Sequence, residues 1–163
     1  MRELILIRHA KSDWSNPLLD DFERPLNKRG SKNAPFMAKI LKKEIQKPDL
    51  IISSPSFRTK LTLEYFLKKF EYKGEVIFEK SIYEAPFENL LKVIKNVDDK
   101  YKTIFLIGHN PGLNDLANFL LGSFEDNIPT SGVLKIDFDT NSWKNISKDN
   151  SKLIFFKYPK MFE

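Results

Sequence analysis

Leu4-Ile5-Leu6-Ile7-Arg8-His9 and Ile104-Phe105-Leu106-Ile107-Gly108-His109 share one pattern: four consecutive apolar residues, one further step, then a histidine. Short apolar runs without polar alternation read as strands buried on both faces, the habit of a parallel sheet. The chain has only two histidines, and each falls just past the carboxyl end of such a run. Ligands of open α/β sheets bind beyond those ends. Parallel neighbours bring the ends together, so residues far apart along the chain can face one another.

The stretches between extend the pattern. A polar loop from Lys11 to about Gly30, punctuated by Pro17 and Pro25, precedes Met37, Ile40, Leu41 and Ile45 at helical spacing. Leu50 to Ser53 reads as a second strand, and Pro55 is expected to open the following helix near its first turn, with Phe57, Leu61, Tyr65 and Phe66 as its apolar stripe. Val76 to Phe78 reads as a third strand, and Phe87, Leu90, Leu91, Ile94 and Val97 as an amphipathic helix. Thr103 to Ile107 is a fourth strand, followed by helical spacing of Leu113, Leu116, Ala117, Leu120 and Leu121. Val133 to Phe138 and Leu153 to Tyr158 are expected to close the fold as a hairpin. Strands alternating with helices predict an α/β fold, a three-layer α/β/α sandwich on a mostly parallel central sheet. No repeat or linker divides the chain, so residues 1–163 are expected to form a single domain.

Composition narrows the function. The chain contains 41% hydrophobic and 30% charged residues, which suits a folded globular domain. There is no cysteine, which excludes disulfides, zinc–thiolate sites and a cysteine nucleophile. No signal-peptide core or membrane-length apolar run occurs, so a cytoplasmic location and no membrane contact are expected. The net charge is +5, but acidic residues are interspersed with the basic ones and no basic stripe alternates with aromatics. The charge therefore reads as solvated helix faces rather than a nucleic-acid surface, while still favouring anionic substrates.

Arg8 and His9 end the first strand, Arg58 follows the second, and His109 follows the fourth. A cation in the first turn of a helix opposes the helix dipole, so Arg58 signals a demand for positive charge. Together the four side chains would form a cationic cup for one tetrahedral anion, with arginine forks and helix-start amides donating hydrogen bonds. Taken singly, a histidine after a strand is more often a cap or a core residue than a catalyst. The two histidines with Asp13, Asp20 or Asp115 would offer a metal site, but two adjacent arginines would repel a divalent cation, so no metal is expected.

Four segments carry a family resemblance. Arg8-His9-Ala10, Arg24-Pro25-Leu26-Asn27-Lys28-Arg29-Gly30, Ser53-Ser54-Pro55-Ser56-Phe57-Arg58-Thr59 with Thr62 beyond, and Gly108-His109-Asn110-Pro111-Gly112 occur in this order. They resemble the signatures of the histidine phosphatase (phosphoglycerate-mutase-like) superfamily. Alanine after His9 resembles its SixA-type phosphohistidine phosphatase branch. The resemblance implies a phosphoglycerate-mutase-like fold and a cofactor-free, metal-independent phosphatase. In it His9 is the phosphorylated nucleophile, Arg8 and Arg58 bind the phosphoryl oxygens and His109 stabilises the transition state.

The implied substrate is phosphohistidine in a protein, such as a phosphorelay or sugar-transport carrier. The alternatives are a small-molecule phosphomonoester phosphatase and a non-catalytic phosphate-binding module. Glu84 is the candidate proton donor; its competing reading is a cap for the helix near Pro86. Arg24 either reaches the pocket or pairs with Asp20 or Asp21. Asn27 and Asn110 are further candidates for phosphate or substrate binding.

Overall fold

The computed structural model describes residues 1–163. Six strands, β1 (Arg2–Arg8), β2 (Leu50–Ser53), β3 (Glu75–Phe78), β4 (Thr103–Gly108), β5 (Val133–Phe138) and β6 (Ser151–Lys157), form one sheet in the order β3-β2-β4-β1-β5-β6. The first four strands in that order are parallel, and β5 and β6 close the sheet antiparallel. The apolar runs read correctly as strands buried on both faces. Leu4 and Leu6 of β1, with Ile104 and Leu106 of β4, enter one core, whereas Ile5, Ile7, Phe105 and Ile107 enter the other. Alternate side chains of a strand point to opposite faces, so every position here needs a nonpolar residue.

Four helices cover those faces: α1 (Lys28–Glu44), α2 (Phe57–Lys69), α3 (Phe87–Lys95) and α4 (Gly112–Leu121). Met37, Ala38 and Leu41 of α1 and Leu63 and Phe66 of α2 pack on one side; Leu90 and Ile94 of α3 and Leu113, Leu116, Ala117 and Leu120 of α4 pack on the other. This is the expected three-layer sandwich. Ile45 and Val97, expected within helical stripes, lie just past the ends of α1 and α3.

Three local expectations are corrected. The polar loop ends earlier than Gly30, because Asn27 caps α1 and its side-chain oxygen accepts from the Gly30 N–H at 2.8 Å. Pro55 does not lie in the first turn of α2; Ser56 is the cap and Phe57 the first helical residue. Phe57 is not part of the buried stripe but exposed, since the inner face of α2 is given to Arg58, Thr59, Thr62, Leu63 and Phe66.

The loop before α1 is tightly pinned. A bridge joins Ser12 to Leu26, Asn27 N–H donates to the Lys11 carbonyl at 2.9 Å, and Asp13 N–H donates to the Pro25 carbonyl at 2.8 Å. Gly30 makes this possible, because a Cβ there would collide with the Lys11 carbonyl oxygen. The obstruction is backbone, which cannot rotate away. Gly30→Ala is expected to lower Tm by about 2–12 °C, an overpacking effect that thermal unfolding would read.

Candidate active site

Strand register builds the site. Arg8 of β1 lies opposite Gly108 of β4, and Ser53 of β2 lies opposite Ile107. The next residue along each strand therefore emerges at the same rim. His9 N–H donates to the Gly108 carbonyl at 3.1 Å and Ser54 N–H to that of Ile107 at 3.0 Å, extending the ladder past the strand ends. The ring centres of His9 and His109 stand 5.2 Å apart. A cavity of about 430 Å³ opens there, lined by Arg8, His9, Arg24, Arg58, Asp21 and Glu84 among others.

The tautomer of His9 follows from its partner. Its Nδ1 lies 2.8 Å from the Ala10 carbonyl oxygen, which only accepts, so Nδ1 carries the proton and Nε2 holds the lone pair. Burial, aided by the nearby Arg58 and Arg8 charges, pushes the His9 pKa down to about 4. The ring is thus neutral at pH 7, with a free nitrogen suited to nucleophilic attack.

His109 is neutral for the same reason. Burial, then His9 and Arg58, lower its pKa to about 3. Its Nε2 lies 2.7 Å from Ser54 Oγ. That hydroxyl also accepts the Ser56 N–H at 3.4 Å. The His109 Nδ1 lies 3.4 Å from Arg58 Nη2, a pure donor, and 3.5 Å from Glu84 Oε1.

Arg58 is the most heavily engaged cation. It is 3% exposed, in the first turn of α2, and reaches over the cavity. Nη1 donates to the Asp21 carbonyl at 2.7 Å, and Nη2 to Asp21 Oδ2 at 3.0 Å and to Glu84 Oε1 at 2.5 Å. Burial alone would raise the Asp21 pKa, but the hydrogen bond from Tyr83 and the Arg58 charge outweigh it and hold that carboxyl below its usual range. Burial and the contact with Asp21 raise the Tyr83 hydroxyl to about 12, so it stays protonated and donates.

Each candidate from the sequence has a definite place. Arg8, His9, Arg58 and His109 converge. Arg24 satisfies both of its readings: it lines the cavity, and it pairs with Asp21 Oδ1 at 2.9 Å while donating to the Asp13 carbonyl and Ser12 Oγ. Glu84 is not a helix cap. It has a left-handed backbone with φ 49°, Pro86 is the residue that precedes α3, and the Glu84 carboxylate turns onto Arg58. Asn27 is not brought to the site, since its amide caps α1. Asn110 lines the cavity, but its amide is spent on Asn114 and on the Ile128 carbonyl. No three His, Asp or Glu side chains anywhere in the chain gather as a metal site would require.

Sequence reading named Thr62 only as part of a motif and Asp21 only as a partner for Arg24, and it missed Tyr83. Thr62 Oγ1 accepts the Ala10 N–H at 2.9 Å and donates to the Arg58 carbonyl at 2.8 Å. One hydroxyl thus ties the loop after His9 to the helix turn that carries Arg58. The four-residue spacing of Arg58 and Thr62 was the available signal, because residues so spaced stack on one helix face. The contacts of Asp21 with Arg58 and Tyr83 had no such signal, as they arise from loops meeting in space.

With only two histidines, the imidazole Cε1–H spectrum holds two resonances. Neither is expected to titrate between about pH 5.5 and 8, whereas an unperturbed histidine has its midpoint near 6.5. Movement of either signal with a midpoint near 6.5 would contradict the neutral pair.

Comparison with known proteins identifies the same architecture. Residues 4–111 match the family model of the histidine phosphatase superfamily (branch 1). An uncharacterised chloroplastic protein of Arabidopsis thaliana is 33% identical over 88% of this chain and 69% of its own length. An uncharacterised protein of Mycobacterium leprae is 24% identical over 94% of this chain and 100% of its own. Among solved structures, SixA of Agrobacterium tumefaciens, assigned as a phosphohistidine phosphatase, superposes with a TM-score of 0.84 at 27% identity, covering 97% of this chain and 98% of that one. A SixA protein histidine phosphatase complexed with tungstate shares the fold at a TM-score of 0.83 and 16% identity, over 99% of both chains.

Proposed function

The chain belongs to the histidine phosphatase superfamily (branch 1), and from that premise we propose that it is a metal-independent phosphatase whose phosphoryl intermediate forms on His9, acting on phosphohistidine in proteins. The observation that carries this reading is the tautomer of His9. Its proton is held by the Ala10 carbonyl, so Nε2 is unprotonated beside a cavity lined by Arg8, Arg24 and Arg58.

In the first step the substrate phosphorus bonds to His9 Nε2 as its bond to the leaving nitrogen breaks. The bond electrons go to the leaving ring, whose other nitrogen carries a proton, so it departs as neutral imidazole. In the second step a water oxygen attacks phosphorus, the Nε2–P bond breaks, and inorganic phosphate departs with the water's proton passed to solvent. Arg8 and Arg58 neutralise the equatorial oxygens, the main demand of phosphoryl transfer, and the His109 ring stands beside that of His9 with centres 5.2 Å apart. The SixA neighbours support the protein-phosphohistidine substrate, and the proposed setting is the cytoplasm.

A second reading, a small-molecule phosphomonoester phosphatase, draws on Glu84. That carboxyl reaches both Arg58 and His109, where a proton donor to a poor alkoxide leaving group would stand.

His9→Ala is expected to cut turnover of an aryl phosphate by about 10³-fold or more with the fold retained, and EDTA is expected to leave the wild type unaffected. Acid-labile, base-stable radiolabel on the quenched wild-type protein would mark the intermediate; its presence on His9→Ala would sink the assignment. Glu84→Gln separates the two substrates. Loss of about 10²–10⁴-fold on an alkyl phosphate, with little change on a phosphohistidine protein, would identify Glu84 as a general acid.

A further inference from the structure

Arg8 is held differently from its fellow cations. Arg24 and Arg58 each make several side-chain hydrogen bonds, but the Arg8 guanidinium makes one, from Nη1 to the Ile128 carbonyl at 3.0 Å, and its buried Nε has no partner. The direction of the guanidinium therefore depends on where the Ile128 carbonyl stands.

That carbonyl is set by an asparagine pair at the start of α4. Asn110 Nδ2 donates to the same Ile128 oxygen at 2.8 Å and to Asn114 Oδ1 at 2.9 Å, while Asn110 Oδ1 accepts the Asn114 N–H at 3.0 Å. Asn114 then grips the loop at two points. Its Oδ1 accepts the Ile128 N–H at 2.8 Å, and its Nδ2 donates to the Asp126 carbonyl at 2.5 Å. The same loop continues to the backbone of the nucleophile: Ser131 N–H donates to the His9 carbonyl at 3.1 Å, and the Gly132 carbonyl accepts the Arg8 N–H at 3.0 Å. Ser131 sits at φ 63° and is 1% exposed, a conformation that persists only where its surroundings enforce it.

We propose that Asn114, which touches neither phosphorus nor His9, is a positioning residue for the phosphoryl-binding site: it fixes the Asp126–Ile128 backbone and through it the guanidinium of Arg8. Asn110 shares the task, which explains why its amide points into protein rather than to a ligand. The inference rests on the reading of Arg8 as a phosphoryl ligand.

The test is a double-mutant cycle read by two measurements, inorganic phosphate affinity by calorimetry and kcat/KM on an aryl phosphate. Asn114→Ala is expected to weaken phosphate binding and kcat/KM by about 10-fold or more, because small misplacements at a phosphoryl site are costly. In an Arg8→Ala background, the same substitution is expected to change either by no more than about twofold, since the group it positions is gone. Equal losses in both backgrounds would mean that Asn114 supports the fold alone and would overturn the proposal, as would wild-type phosphate affinity in Asn114→Ala. Should Asn114→Ala fail to fold, Asn114→Ser, which keeps a polar group in that turn but cannot span both loop contacts, carries the same comparison. A wild type that binds phosphate without turnover would refute the phosphatase reading and leave this one intact. A wild type that binds no phosphate would overturn both.

Discussion

The site depends on the parallel pairing of β1 with β4. Arg8 opposite Gly108 puts His9 and His109 one step beyond the ladder, on the same rim, with ring centres 5.2 Å apart. A slip of one residue would turn one imidazole to the opposite face of the sheet, because side chains alternate. That register is bounded by charge: Leu4 to Ile7 fill both cores, and a slip in either direction would draw Glu3 or Arg8 into an apolar layer. The chemistry is therefore positioned largely by residues that take no part in it.

Burial then sets the charge state. Both histidines lose their proton because desolvation disfavours the imidazolium, and the adjacent guanidinium groups act in the same direction. Arginine does not respond in this way, since its intrinsic basicity keeps it charged. One enclosed site can thus hold neutral nitrogen bases beside permanent cations, a combination that lysine would supply less securely. The hydrogen bond from His9 Nδ1 to the Ala10 carbonyl completes the arrangement by deciding which nitrogen is free.

How much of this was legible varies with the kind of signal. The strands and their order of use followed from uninterrupted apolar runs, and the two histidines were conspicuous at their ends. Arg58 was legible because it contradicts its helix dipole. Helix starts were less clear: Asn27 stood out as a motif position, and its work proved to be capping, a role available to any asparagine before a helical stretch. Phe57 was misassigned because helical spacing ranks apolar residues alike, whereas α2 turns an arginine and two threonines inward. The contacts of Asp21 with Arg58 and Tyr83, and of Asn114 with Asp126 and Ile128, could not be found by spacing. Each is made across a loop, and loop geometry is set by tertiary contacts rather than by periodicity.

The site also has to manage its own charge. Arg8, Arg24 and Arg58 crowd one small cavity, and like charges at close range raise the energy of the folded chain. Asp21 and Glu84 answer this by sitting on Arg58, and Asp21 bridges Arg58 to Arg24. Both carboxylates remain nearly half exposed on the side chain, so they keep contact with water while compensating buried cations. Under the proposed function, an entering dianion meets Arg58 already paired and must displace a carboxylate to gain it. The binding energy of the anion is reduced by that exchange, and the difference favours ligands able to engage Arg8 and Arg24 as well. On that reading, selectivity for a tetrahedral anion over a simple carboxylate would come from geometry: only the former presents enough oxygens to reach several guanidinium groups from one position.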